Sequence, residues 1–315
     1  MACLIVPMAQ GHVPQAAELF RGAYQRERRC SPLLPPEPLG GEGTLREHLL
    51  VDLANPGVVA VDGGRLIGYL CVSARFPFKG LSAALVREHS HSAAPGQEPS
   101  LLPELYAALG ETLIEQGVQL HIVAHLASDG ELKETLFQLG FGAFLTERLR
   151  DLSPVEGAAL APIEPLRDPG ELVALEMEHR RYYLQSPIFL TKDDTREAAL
   201  AGLCEDRDSG RTALVYRDHG TPAAYMVVGP CSAEQEGRLL RGSKTAQVCS
   251  AYATPSVRGR GIGRALLQGC VDWARCAGYE RLFVEHETAN LAGRRFWGRH
   301  FAPYLHFSMR YVEGR

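Results

Sequence analysis

The sequence predicts an α/β fold with mixed, α+β sheets, present as two tandem copies. Three observations carry this prediction. The chain has 315 residues, enough for about two domains at the roughly 100 to 200 residues an ordinary domain uses. The same order of elements runs through it twice. The two runs keep a nearly constant offset: Gly117 and Gly278 are 161 residues apart, and Phe141 and Phe301, each closing a later helix, are 160 apart.

Residues 58–60 and 66–72 are short β-rich runs around Asp62, Gly63 and Gly64, a hairpin signal. Residues 113–125 follow as a helix end, a glycine and a strand. In the second half, 213–216 and 223–228 repeat the hairpin around Asp218, His219 and Gly220. Residues 244–254 form a long strand, and 273–286 repeat the helix end, glycine and strand. Hairpins combined with one strand-helix-strand crossover imply a mixed sheet, not a fully parallel one. The stretch 153–161 has small residues, prolines and little periodicity, which predicts a linker between domains 1–152 and 162–315.

Composition narrows the function. The net charge of -4 proposes neither nucleic acid nor an anionic membrane as a partner. The eight cysteines form no CxxC pair, so buried thiols in a reducing compartment are expected, without disulfides and without metal. No run approaches the roughly 18 apolar residues of a membrane span. A soluble, cytoplasmic protein is the expectation.

The chemistry-bearing stretch follows the strand 244–254. Arg258, Gly259, Arg260, Gly261, Ile262, Gly263 and Arg264 lead into the helical sequence ALLQGCVDWARCAG. Glycines at alternate positions between a strand and a helix let the backbone turn tightly and bring its amides close to a ligand. A helix N-terminus adds partial positive charge, so a phosphate or pyrophosphate suits the site. No Lys followed by Ser or Thr comes after the glycines, which disfavours a nucleoside triphosphate loop. The glycine spacing also departs from GxGxxG.

RGRGIGRA at Arg258 to Ala265 resembles the RxxGxG acyl-CoA loop of the GCN5-related N-acetyltransferases. LFVEHETAN followed by LAGRRFW is similar to that family's second signature, an Asn after a strand and before a helix ending in an aromatic residue. The resemblance covers residues 162–315 well. Residues 1–152 follow only the scaffold, so the chain looks like a tandem acetyltransferase with a degenerate first copy. The resemblance implies acetyl-CoA as co-substrate. Backbone groups of Ala251, Tyr252 and Ala253 then hold the acyl and pantetheine portion, and amides of Gly259, Arg260, Gly261, Ile262, Gly263 and Arg264 hold the pyrophosphate. Asn290 reaches the cofactor with its side-chain amide. Arg258 or Arg264 sits on a phosphate or stays in solvent.

The reaction so implied is attack of a neutral amine on a thioester. An amine of pKa near 10.4 is neutral in about one molecule in 2,500 at pH 7, so a base is useful. Glu285 and Glu287, two apart on a predicted strand, share a face, and joint burial would raise one pKa. Glu285, five residues before Asn290, matches the position where some family members carry a catalytic glutamate. Glu287 serves equally through water; the alternative is two solvated edge-strand carboxylates. Twelve residues after Glu285 the family commonly places a tyrosine that protonates the departing thiolate, but this sequence has Trp297, whose N–H is no practical proton source. Tyr304, Tyr252 or water would substitute.

The first half lacks this equipment. Its loop counterpart is residues 89–100, with one Gly and two prolines, and its counterpart of Glu285 is Ala124. His121 and His125 lie about 13 Å apart along a strand, too far to share a metal. Residues 180–190 mix Tyr182, Tyr183 and Phe189 with two arginines, which suits an aromatic or anionic substrate; Tyr182 and Phe189 serve alternatively as core. The leading expectation is an acetyl-CoA-dependent N-acetyltransferase acting on a primary amine of a small molecule. The alternatives are a non-catalytic acyl-CoA-binding regulator or scaffold, and a protein N-acetyltransferase.

Overall fold

The computed structural model describes residues 3–158, 161–191, 195–231, 237–240 and 243–314. The chain runs through β1 (Leu4–Pro7), α1 (Val13–Cys30), α2 (Glu42–Asp52), β2 (Gly57–Asp62), β3 (Arg65–Cys71), β4 (Ala74–Phe78), β5 (Leu81–Val86) and β6 (His91–Ala93). It continues with α3 (Glu98–Glu115), β7 (Leu120–Leu126), α4 (Gly130–Gln138) and β8 (Gly142–Asp151). The second half contains β9 (Ile163–Pro165), α5 (Val173–Tyr182), α6 (Arg196–Asp208), β10 (Thr212–Asp218), β11 (Thr221–Pro230) and β12 (Thr245–Ala253). It ends with α7 (Ile262–Cys276), β13 (Arg281–Glu287), α8 (Leu291–His300) and β14 (Ala302–Tyr311).

Two compact units result, and they do not follow the single cut near 153–161 that the sequence suggests. The first unit takes residues 1–146, 239–242 and 303–315; the second takes 147–238 and 243–302. The reason is strand pairing. Leu305 to Tyr311 of β14 form an antiparallel ladder with Leu126 to Leu120 of β7, so these late residues complete the first unit. Of the expected linker, residues 159 and 160 lie outside the described residues.

The sheets are mixed, as expected. In the first unit β1-β2-β3-β6 form one antiparallel group, while β5 and β7 run parallel. In the second unit the order is β8-β13-β12-β11-β10-β9, with β12 and β13 parallel. Both predicted hairpins form. The two residues between Asp62 and Arg65 have φ of 55° and 81°, and those between Asp218 and Thr221 have 49° and 82°, the left-handed pair a type I′ turn requires.

Period-two alternation packs the second unit on both faces. Ala224, Met226 and Val228 of β11 join the cluster beneath α7, while Tyr225 and Val227 join the cluster beneath α5 and α6. Helix α7 presents Leu266, Leu267, Cys270, Val271 and Ala274 to that first cluster, the spacing of one helical face. Each buried Leu or Val contributes about 1.5 to 3 kcal/mol. This packing fixes the N-terminus of α7 beside the end of β12.

Candidate functional site

The site begins where two strands part. β12 and β13 pair from Thr245 and Arg281 up to Val248 and Val284, and the ladder stops there. On its other side β12 shifts register against β11: Val228 pairs Val248 and Val227 pairs Ser250, leaving Cys249 as the extra residue of a bulge. A bulge increases twist and turns the rest of β12 away from β13. The gap is a cavity of about 240 Å³, walled by residues 248–253, 284–286 and parts of α5, α7 and α8.

The exposed edge of β12 carries backbone groups that can pair. Antiparallel partners alternate between hydrogen-bonded and non-bonded pairs. Thr254 N donates to Ala223 O at 2.9 Å, so the next pair, Ala224 with Ala253, is non-bonded, as is Met226 with Ala251. Backbone N–H and C=O of Ala251 and Ala253 therefore turn away from β11 and toward the cavity. Those of Tyr252 face β11, which corrects the expectation for its backbone; its ring lines the cavity instead.

Next to this edge lies the glycine loop. Gly259 and Gly261 have φ of 77° and 84°, and Gly261 caps α7 without any side-chain acceptor. Arg264 N and Ala265 N donate to Gly261 O, so Arg264's amide is already engaged. The five amides of residues 259–263 reach no backbone acceptor among the described residues. Five such donors at and before a helix N-terminus are available to an anion. A Cβ on Gly263 would come 3.1 Å from Phe296 Cε2, so glycine lets α7 and α8 approach closely.

The three arginines do not share one task. Arg258 Nε donates to Ala253 O at 2.9 Å, and its guanidinium lies 5.4 Å and 5.6 Å from the ring centroids of Tyr182 and Tyr252. Arg260 is 3.6 Å from Asp218 and donates to Tyr216 Oη. Arg264 lies against Gly157, where a Cβ would stand 2.7 Å from Nη1.

Asn290 lines the cavity and caps α8: its Oδ1 accepts from Gly293 N at 2.9 Å and from Tyr182 Oη at 3.0 Å. Its carboxamide N–H₂ is the part left for a ligand. Glu285 lines the cavity, and Glu287 accepts a hydrogen bond from Tyr183 Oη at 3.2 Å. Strand alternation places Glu285 on Glu287's face, toward the end of α5. Burial, then the charge of Glu287, pushes the Tyr183 hydroxyl well up. His286, between the glutamates, is no base: Nε2 accepts from Arg148 Nε at 2.9 Å and Nδ1 donates to Glu287 O at 3.0 Å. Burial and the Arg148 charge hold its pKa down.

Trp297 lines the cavity and is buried against Phe296 and Phe301. Of the substitute acids, Tyr252 is at the cavity, whereas Tyr304 is fully buried in the first unit and does not line it. Tyr182 and Tyr183 line the cavity, but Phe189 is 70% exposed and serves neither core nor site. Sequence reasoning missed Glu176, His179, Tyr225 and Ser250, whose polar atoms converge on the α5 side of the cavity.

The first unit closes the equivalent place. The parallel pair of β5 and β7 ends at Val86 and Val123, but His91 of β6 reaches across with its Nε2, 2.8 Å from Ala124 O. A carbonyl only accepts, so Nε2 carries the proton. His91–Ala93 is a strand, which shortens the expected loop to the residues after it, and α3 begins with Pro99 in its first turn, where an N–H is missing. The remaining cavity is about 30 Å³. Beside it His89 is buried between Asp52 at 3.3 Å and Glu88 at 3.7 Å. Burial opposes both charges, yet the pairing holds Glu88 at about 2 and raises His89. Among the described residues no group of three or more His, Cys, Asp or Glu is arranged to hold a metal ion.

Residues 174–301 match the model of the acetyltransferase (GNAT) family. Solved structures similar over nearly the whole chain include the following three. One is a GCN5-related N-acetyltransferase from Sphaerobacter thermophilus, 15% identical, covering 99% of this chain and 97% of that one, with a TM-score of 0.60. Another is a tandem GNAT protein from the clavulanic acid biosynthesis pathway, 15% identical, covering 99% of both chains, with a TM-score of 0.51. The third is a GCN5-related glucosamine N-acetyltransferase region of a fungal multi-domain β-N-acetylglucosaminidase, 11% identical, covering 98% of this chain and 38% of that one, with a TM-score of 0.56. No curated protein matches the sequence. Residues 174–301 thus match a GNAT domain, and the whole chain has the fold seen in the tandem GNAT structure. The family transfers acyl groups from acyl-CoA to an acceptor.

Proposed function

We propose that the protein is an N-acetyltransferase that moves the acetyl group of acetyl-CoA to the primary amine of a small molecule by direct attack. One observation carries this reading: the amide row of residues 259–263 follows the end of β12, where the backbone of Ala251 is turned from β11 toward the gap, and Glu285 lines that gap while Glu287 is bonded to Tyr183 in its wall. A pyrophosphate on the amides sets an amide-bearing arm along β12, with its thioester beside Ala251. Asn290 donates its N–H₂ to that arm. A carboxylate on β13 takes the proton of the arriving ammonium, directly or through water. All eight cysteines are free, and among the described residues no helix is long and apolar enough to cross a membrane.

CoA release over a panel of primary amines tests the reading. Glu285→Gln with Glu287→Gln should lower kcat by about 100-fold or more while acetyl-CoA affinity stays unchanged in calorimetry. Unchanged turnover removes the two glutamates from the mechanism. Trp297 in the acid position favours a second reading, a non-catalytic acyl-CoA-binding regulator; binding of acetyl-CoA without turnover of any amine is its signature.

A further inference from the structure

His179, on α5, stands in the cavity wall with its ring stacked on Tyr252, centroids 5.2 Å apart and planes at 26°. Its Nδ1 is 2.9 Å from Tyr225 Oη and 3.5 Å from both Ser250 Oγ and a Glu176 oxygen. Tyr225 donates its hydroxyl proton to Glu176 in a short hydrogen bond, so the proton between Tyr225 and His179 must belong to Nδ1. That fixes the Nδ1–H tautomer and leaves the lone pair on Nε2. Nε2 makes no hydrogen bond among the described residues.

The surroundings hold the ring in place by charge and hydrogen bonds. The second Glu176 oxygen accepts from Arg180 Nε at 2.9 Å. Burial raises the Glu176 carboxyl, but hydrogen bonds from His179, Tyr225 and Arg180 outweigh it and hold it at about 2. Glu176 is therefore an anion at working pH, held by Tyr225 and Arg180 with one oxygen 3.5 Å from Nδ1 of the imidazole. The other titratable groups packed on the ring are Tyr183, 5.3 Å away, and Tyr252, both with hydroxyls pushed up by burial and therefore neutral. The charge of Arg258 lies on the Tyr252 ring.

We propose that His179, oriented by Glu176 through Tyr225, is a further catalytic residue of the acyl transfer and carries the proton from the attacking nitrogen to the departing sulfur, the task Trp297 is unable to perform. This rests on the transferase reading above. An ammonium must lose two protons to become an amide. The first leaves before attack, to Glu285 or Glu287, and passes to solvent. The nitrogen lone pair then forms the C–N bond at the thioester carbonyl carbon, and the second proton moves from nitrogen to His179 Nε2. The C–S bond breaks with its electron pair on sulfur, and the imidazolium returns the proton to the thiolate. The amide and the CoA thiol leave, and His179 is neutral again.

The test uses the full chain, acetyl-CoA, and tyramine, spermidine and glucosamine as amines. His179→Ala should lower kcat about 100-fold with acetyl-CoA affinity unchanged, remove one limb of the pH profile of kcat, and recover activity with added imidazole. Tyr225→Phe should lower kcat about tenfold and shift that limb. An unchanged kcat and pH profile in His179→Ala overturns the proposal, as does a fall in kcat with the profile intact and no imidazole rescue. Ring ¹⁵N shifts of His179 in the unaltered chain read the same arrangement without a variant: the Nδ1–H tautomer supports it, and the Nε2–H tautomer overturns it. Absence of turnover by the unaltered chain overturns the transferase reading instead, and is told apart by the ¹⁵N shifts.

Discussion

Two parallel strand pairs, one in each unit, end at the same point of the fold and meet different fates. Beyond Val248 and Val284 the second unit leaves a gap of about 240 Å³ lined by backbone groups. Beyond Val86 and Val123 the first unit bridges the gap with one imidazole and keeps about 30 Å³. In the second unit β12 continues past the last pair and is turned aside by the bulge at Cys249, whereas in the first unit β5 ends at Val86. Whether the gap becomes a site depends on a few residues: a histidine that satisfies the carbonyl at Ala124, a proline that removes an amide from the helix start, and a row of glycines present in one copy only.

The polar centre of the first unit offers the largest test of this contrast. His89→Gln should destabilise the protein by about 3 kcal/mol in urea unfolding at pH 6, since it leaves Asp52 and Glu88 buried without their cation. The sign with pH follows from the two shifts. His89 is raised above 6.5, so its contribution is full below 6.5 and is lost as pH rises through the higher folded value. Glu88 is lowered from 4.5 to about 2, so its contribution is present above 4.5 and is lost as pH falls toward 2. The gap between His89→Gln and the unaltered chain should therefore narrow toward pH 9 and toward pH 2. A gap constant from pH 6 to pH 9 would show that His89 is buried neutral.

Gly261→Asp tests the open cleft. Aspartate tolerates the left-handed backbone and is a favourable N-cap, so α7 should persist in circular dichroism. A carboxylate placed where an anion must sit should weaken acetyl-CoA by about 2 kcal/mol, roughly 30-fold, by calorimetry. Unchanged affinity removes the amide row from the binding site. The smallest effect belongs to His91→Ala. Loss of its hydrogen bond should cost about 1 kcal/mol. Acetyl-CoA stoichiometry should remain one per chain, because clearing the gap does not supply the amides. Two molecules bound per chain would break the comparison.

Much of this was legible where the signal is local. The Asp62 to Gly64 and Asp218 to Gly220 turns announce their hairpins because only a few residue types accept two successive positive φ values. Gly259 and Gly261 announce the loop for the same reason. What stayed hidden depends on pairing over long separations. Nothing near residue 305 indicates that β14 pairs with a strand about 180 residues earlier, so the unit boundary was misplaced. Glu176 and Tyr225 are 49 residues apart, and their contact needs α5 to lie on β11. Phe189 carries an aromatic side chain into solvent, against the usual preference, and nothing in the structure explains it.

The assignment of residues 303–315 to the first unit bears on how the chain matures. During synthesis, β7 emerges with its seven buried residues and must wait for β14 until the whole second unit has left the ribosome. The residues of the second unit are all synthesised by 302, whereas the first unit lacks β14 until the end, so N-terminal before C-terminal is not the order in which the two are completed. A chain stopped at residue 302 would leave β7 without its β14 partner, an apolar strand open to unwanted pairing with its neighbours.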